Sequence, residues 1–371
     1  MTIAPRNATI PLLLAFACRP PVPYIETVAG IGGVLTAGAD GLPARETGLY
    51  MPTAITFSPE GRLIIDDFNN FRIRELQQDG TLKVIVGVGA HGVAAGSVAS
   101  TPLENPIDLA WTAQGELVIA ELHTGRILQV DDGAIRVLAG GLDYSVGHSS
   151  DGTPATSALL GQARGVATDD DGTIYVSDTD NHCIRMVTPD GTLAHLAGGA
   201  QPGSGYVDGG ASDARFFLPE RIRRLGRALW VADTQNNVIR KIDLDARTVE
   251  TVVGSGAAGF DGDGGPALEA SLMQPTSMLP EADGGLWVVD SQNHRLRYVD
   301  PSGIIRTVAG TGESSFTGDD GDPAEASFSF PADVTRGPDG ALYVADLLNG
   351  AIRRIVNPEL LLQPDPSSET P

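Results

Sequence analysis

The sequence predicts an all-β fold, a six-bladed β-propeller of four-stranded antiparallel blades. Three observations carry that expectation. One motif recurs six times, each copy alternates apolar and polar residues between Asp-Gly turns, and the strand missing from the last copy stands at the other end of the chain.

The motif is clearest at Gly172-Thr-Ile-Tyr-Val-Ser-Asp178-Thr-Asp-Asn181-His182, and it returns around Asp233, Asp290 and Asp346. Two weaker copies run from Arg62 to Asn70 and from Glu116 to Thr124. Aligned, they place Asp67, Glu121, Asp178, Asp233, Asp290 and Asp346 at one position, with spacings of 54 to 57 residues. Fixed periods of this length signal a repeat architecture. Within the third copy, Gly165–Thr168, Thr173–Ser177, Cys183–Val187 and Leu193–Ala197 read as strands joined by Asp-Gly turns and loops, the hairpin signature. A repeated antiparallel unit closes economically as a propeller, which leaves only short edges. Helical solenoids are excluded because no segment keeps a 3.6-residue period.

The run Tyr175-Val-Ser-Asp178-Thr-x-Asn181-His182-x-Ile184-Arg185 resembles NHL-repeat propellers, as do linkers such as Gly259-Phe-Asp-Gly-Asp-Gly-Gly-Pro-Ala267. The resemblance covers about residues 25 to 356. It implies the fold and leaves activity open, because such propellers serve adhesion, RNA binding, sensing and, in a few cases, lyase chemistry. Units one to five end in a Val-Ala-Gly-like strand, while the sixth stops at Ile355-Val356. The missing strand is expected in Ile25-Glu26-Thr27-Val28-Ala29-Gly30, which would pin the first and last units together. The expected organisation is residues 1–23 as an export-signal or lipoprotein-like N-terminus, 24–356 as the propeller and 357–371 as a flexible tail.

The N-terminal reading rests on the apolar run Thr9–Ala17, preceded by Arg6 and followed by Cys18, a potential lipid anchor. The expected location is the periplasm or cell surface. Cys183 lies in an apolar stretch as a small buried hydrophobe, and two cysteines make no disulfide framework. Asp and Glu total 47 against 25 Lys and Arg, a net charge of −22. That balance disfavours nucleic acid and anionic membrane surfaces as partners. No apolar run reaches the roughly 20 residues that span a bilayer. The partner is expected to be a protein or small molecule, and the chain a monomer.

In an antiparallel blade, the loop after strand two and the linker after strand four emerge on one face. Long linkers are natural carriers of function. They enter the innermost strands through Pro52, Pro106, Ala163, Pro219, Pro275 and Pro331. Just beyond, Thr53, Asp108, Arg164, Glu220, Arg221, Thr276, Ser277 and Asp333 should ring the channel mouth. Arg164 and Arg221 present forks suited to an acidic group on a ligand. Glu220, Asp108 and Asp333 either complete that ligand site or neutralise the arginines as ordinary ion pairs.

The repeated Asp reads as structural, since it precedes Thr/Ser-x-x-Asn and pairs in prospect with an Arg seven residues on, as in Asp178 with Arg185, Asp233 with Arg240 and Asp290 with Arg297. The clusters Asp261-Gly-Asp263 and Asp319-Asp-Gly-Asp322 are calcium candidates. They read equally as Asp-Gly turns anchoring linkers over Phe260 and Phe316. The six histidines, His91, His123, His148, His182, His195 and His294, form no His-Glu-x-x-His and no close pair in sequence. No nucleophile elbow, P-loop or dinucleotide fingerprint is present, so no catalytic residue is assigned. The favoured expectation is a binding module acting through the linker-lined face. The alternative is a metal-dependent lyase or hydrolase with its site at the central channel.

Overall fold

The computed structural model describes residues 22–363 except 94, 142 and 200–202. The segment holding Cys18 and the end of the tail lie outside the described residues. Among the described residues the regular elements are strands and short 3-10 turns, and no helix is long and apolar enough to cross a membrane.

Six separate antiparallel sheets follow one another along the chain. Blade 3 shows the unit, with strands Ala163–Thr168, Ile174–Asp178, Cys183–Val187 and Leu193–Ala197 in sequential order. The first strands of neighbouring blades touch in a closed circuit around one axis: Pro52–Phe57, Pro106–Trp111, Ala163–Thr168, Pro219–Leu225, Ser277–Pro280 and Pro331–Arg336. Apolar side chains from facing sheets pack between blades, as where Ile107, Val118 and Ile127 of blade 2 share a core with Val166, Ile174 and Val176 of blade 3. Burying both faces of every sheet is what turns alternating strands into a continuous ring of core.

The ring closes as the sequence predicts. Tyr24–Gly30 pairs antiparallel with Ala351–Val356, and Ile25 lies opposite Ile355. Ile25 is fully buried in the core shared by blades 5 and 6. Blades 2 and 4 each gain a two-residue outer strand from their linkers, Gly96–Ser97 and Gly209–Gly210. Pro358–Leu362, read from sequence as the start of a tail, forms a 3-10 helix whose Leu361 and Leu362 pack on the last blades.

The repeated carboxylate is the frame of every blade. In each one it accepts a backbone N–H from the segment entering strand one: Tyr50, Glu104, Gly161, Phe217, Met273 or Ser329, at 2.5–2.8 Å. In five blades it also accepts from the Asn three residues on, and that Asn donates to a linker carbonyl, as Asn236 does to Gly205. These bonds place the loops after strand two and the linkers on one face. The turn ends with a residue in the left-handed region, Phe71, His182, Asn237, His294 or Gly350, and in blade 2 Gly125 holds the corresponding positive φ.

The arginine seven residues on pairs with this carboxylate in five blades, from 2.7 Å for Arg74–Asp67 to 3.9 Å for Arg185–Asp178. Its other nitrogen reaches a linker Asp: Asp40, Asp151, Asp208, Asp263 or Asp319. Each of these guanidiniums is buried. One residue therefore ties blade to linker five times. Two of those linker carboxylates belong to the calcium candidates, so Asp263 faces Arg297 and Asp319 faces Arg353, with Phe260 and Phe316 against the same guanidiniums. Asp261 accepts the Ser271 N–H and Asp322 caps a 3-10 turn.

Candidate functional site

At the linker face the innermost strands surround a cavity of about 270 Å³ on the axis. Its walls are apolar at Phe68, Ile107, Leu122, Phe330 and Leu347, contributed by the loops after strand two and by the strand entries. The charged groups, Arg164, Glu220 and Arg221, come from blades 3 and 4, while uncharged polar side chains such as Thr53, Gln274, Thr276 and Gln292 line the rest. A concave site on the axis that combines apolar walls with placed polar groups is a usual setting for a small-molecule ligand.

The five residues singled out from sequence divide into two layers. Arg164 and Glu220 stand at the mouth, 3.4 Å apart, with side chains 32% and 24% exposed. Burial pushes the Glu220 carboxyl above its ordinary pKa, while Arg164 and Arg221 pull it back. Asp108 and Asp333 are fully buried beneath the cavity and do not line it. Arg221 bridges the layers. Its Nη1 donates to Asp108 at 2.9 Å, and its Nη2 donates to the carbonyls of Thr53 and Ile107 at 3.0 and 3.1 Å. Both terminal nitrogens are thus engaged inside the protein, in the manner of the ion-pair alternative.

Two members of this plug were not found from sequence. Arg223 donates to Asp333 at 2.9 and 3.0 Å and to Asp108 at 3.3 Å. The signal was present, since Arg221 and Arg223 are two apart on one strand and so share a face. Asp66 is fully buried, and Thr53 Oγ1 donates to it at 2.6 Å. Burial holds its carboxyl well above the usual range. The two guanidiniums of Arg221 and Arg223 face the carboxylates of Asp108 and Asp333. The plug touches every blade, because Asp108 also accepts the Val166 N–H while Asp333 accepts from Ile55 N–H and Ser277 Oγ. Arg223 lines a second cavity at the opposite end of the axis, so the ion pairs divide the channel.

The histidines also sort by structure. His182 and His294 are turn residues whose Nδ1 atoms accept the N–H of Leu218 and Phe330. His91 and His123, distant in sequence, are brought together by Glu104 on the linker face of blade 2. His91 Nε2 lies 2.7 Å and His123 Nδ1 2.9 Å from Glu104 Oε1. Among the described residues this is the one group of three ligating side chains close enough to share an ion. Sequence reading missed it because the linker path that carries His91 back to Glu104 is set by the fold.

The family model for the teneurin NHL domain matches residues 23–206. NHL repeat-containing protein 2 of Bos taurus is 29% identical over 205 residues, covering 49% of this chain and 28% of that protein. The chain therefore spans little more than a quarter of that curated relative. Among solved structures, an auxiliary nutrient binding protein from Bacteroides thetaiotaomicron superposes with a TM-score of 0.65 at 16% identity, covering 90% of this chain and 76% of the other. Virginiamycin B lyase from Staphylococcus aureus superposes at 0.54 and 15%, covering 90% and 99%. At such identities the structural likenesses speak to fold alone. The repeated motif and the six sheets make this chain a six-bladed β-propeller, and its repeats are similar to those of NHL-repeat proteins.

Proposed function

We propose that the protein is a ligand-binding propeller, exported and monomeric, that captures a small molecule in the axial cavity of its linker face. The observation that supports this most is the cavity itself, whose mixed lining sets apolar side chains such as Phe68, Leu122 and Phe330 beside polar ones, with its charged groups confined to Arg164, Glu220 and Arg221. A ligand with an apolar body and an acidic group fits that lining. Arg164 is its partner: the guanidinium is a third exposed, and its contacts to Glu220 and Gln162 are long, 3.4 and 3.3 Å. Arg221 shapes the floor, its terminal nitrogens being committed to the plug. The nutrient-binding neighbour is in keeping with this reading.

The channel-metal enzyme is the weaker reading. Glu220 is the sole carboxylate among the residues lining the cavity, which include no histidine or cysteine. A metal there would have one charged protein ligand, where catalytic sites commonly use three.

The test is a thermal-shift panel of small organic acids and their neutral analogues, followed by titration of the hits. Arg164→Ala should weaken an acidic hit by about 1–3 kcal/mol, the range for a hydrogen bond to a charged group. Leu347→Trp, which fills the mouth, should abolish binding of acid and analogue alike. Hits that bind both variants unchanged would move the site elsewhere.

A further inference from the structure

We infer that His91, Glu104 and His123 form a binding site for a divalent transition ion, Zn²⁺, beside the axial cavity. The site is separate from the channel, and it stands whether or not the cavity binds an organic ligand.

The fold does not require these side chains. The position of Glu104 is filled by Tyr50, Gly161, Phe217, Met273 and Ser329 in the other blades, where the element common to all six is the backbone N–H given to the repeated carboxylate. The position of His123 is filled by Asn69, Asp180, Gln235, Gln292 and Leu348. In four blades the N–H there donates to the carbonyl of the strand-entry residue, as Gln235 does to Phe217. In blade 2 it donates instead to Glu104 Oε2 at 3.0 Å. That bond turns the carboxylate inward, with the Glu104 side chain 1% exposed, and leaves Oε1 facing both imidazoles.

The arrangement is held from several sides. His91 is fixed by a backbone bridge to Leu103, the residue before Glu104, and Gly92 N–H donates to the Leu103 carbonyl. The His91 ring stacks on Tyr144 at 5.9 Å and meets the edge of Phe71 at 5.3 Å. Its second nitrogen, Nδ1, lies 3.5 Å from Tyr144 Oη, the kind of outer partner that fixes the tautomer of a ligating imidazole.

Two imidazoles and one carboxylate select a borderline transition ion over Ca²⁺ or Mg²⁺, which prefer oxygen shells. The three ligating atoms lie within 4.8 Å of one another. A tetrahedral Zn²⁺, bound at about 2.0–2.2 Å, spaces its ligands about 3.3 Å apart, so each imidazole nitrogen moves back from Glu104 by about half an ångström while the two nitrogens, within 4.8 Å of each other, settle at that same spacing. Both can do so, since their side chains are 47% and 50% exposed. The fourth position then opens to solvent, the open form of three-ligand zinc sites. Leu122, next to His123, lines the axial cavity, so the cluster lies beside that cavity. The net charge of −22 draws cations to the surface without choosing where they bind.

The experiment is calorimetric titration of chelator-treated full chain with Zn²⁺, paired with Co²⁺ as a visible-absorption probe. One ion should bind per chain, and Co²⁺ should show d–d bands of a four- or five-coordinate site. His123→Gln inserts the residue that blades 4 and 5 carry at this position, which protects the fold. It and Glu104→Ser should each weaken Zn²⁺ by more than about tenfold, the floor set by losing even an outer partner of a zinc ligand. His148→Ala, outside the cluster, should leave affinity unchanged. No Zn²⁺ uptake by the wild-type chain at 100-micromolar order, or equal uptake by His123→Gln and Glu104→Ser (an adventitious ion only), would overturn the site.

Discussion

Blade 2 and blade 4 meet the same structural demand with different residues. In blade 4, Asp233 accepts from Phe217 N–H, Asn236 and Arg240, and Arg240 goes on to the linker carboxylate Asp208. In blade 2, a longer Glu121 takes the carboxylate position, Thr124 replaces the Asn at 3.2 Å, and the arginine is Arg126, five residues on instead of seven. The extra methylene of Glu reaches a guanidinium on the strand position opposite it, where other blades carry Arg72, Cys183, Val238, Arg295 or Ala351. Both solutions bury a carboxylate–guanidinium pair. The difference teaches where the repeat is constrained and where it is free: the buried carboxylate–arginine pair persists under substitution, whereas the side chains beside it change, and in blade 2 they bring two imidazoles to one carboxylate. A site needs asymmetry between blades, and blade 2 supplies one instance of it beside the Arg164 and Glu220 of blades 3 and 4.

The comparison breaks first if the pair is not the frame. Arg240→Met should cost about 3–5 kcal/mol in urea unfolding, because it strands a buried Asp233 carboxylate and releases Asp208. Arg126→Met should cost a similar amount through Glu121. A loss below about 1 kcal/mol in either variant would mean that the apolar cores between blades carry the ring unaided.

The second test uses protons. Burial pushes Asp233 to about 6 and Glu121 to about 7, both above their ordinary values. A carboxyl with a raised folded pKa holds its proton in the folded state after the unfolded chain has lost it. Stability therefore falls as pH rises from the unfolded pKa to the folded one, and levels off beyond. For Asp233 the window closes near pH 6, and for Glu121 near pH 7. Asp233→Asn and Glu121→Gln each carry a fixed penalty, but their pH dependence relative to wild type should differ. Between pH 6 and 7 Glu121→Gln should recover on the order of 1 kcal/mol against wild type, and Asp233→Asn only about a third of that. Parallel curves over that interval would show that the two carboxyls share one environment.

The frame was legible in the sequence because its parts are local. Asp, Asn and Arg fall within eight residues of one another and recur at one spacing, and the Val-Ala-Gly ending identified which strand the last blade lacked. The axial residues were legible to one layer: entry positions beside Pro106, Ala163, Pro219 and Pro331 gave Asp108, Arg164, Glu220, Arg221 and Asp333, but not which of them would face solvent. That depends on the depth each side chain reaches along the axis, which the strand bulges between Pro106 and Asp108 and between Pro219 and Ile222 help to set. Asp66 carried no signal, because an acid where other blades have Ala120, Ser177 or Ala232 reads as surface until the ring is closed. The His91–Glu104–His123 cluster was hidden for the opposite reason. Its members sit where the repeat dictates backbone and leaves side chains open.

The smallest effect sharpens the comparison most. His123 is half-exposed, and its ring adds one contact to a carboxylate that keeps His91 Nε2 and the residue-123 backbone N–H as partners. His123→Ala should therefore cost no more than about 1 kcal/mol, as for exposed ion pairs, and move Tm by no more than about 2 °C in metal-free buffer. Arg126, three residues on and fully buried, should cost several times that. The pairing of the two variants separates frame from site within one loop. If His123→Ala destabilises the metal-free chain as much as Arg126→Met, the histidine is a clasp holding the linker to blade 2. If it leaves stability in place, the side chain is free of structural duty and available to a ligand.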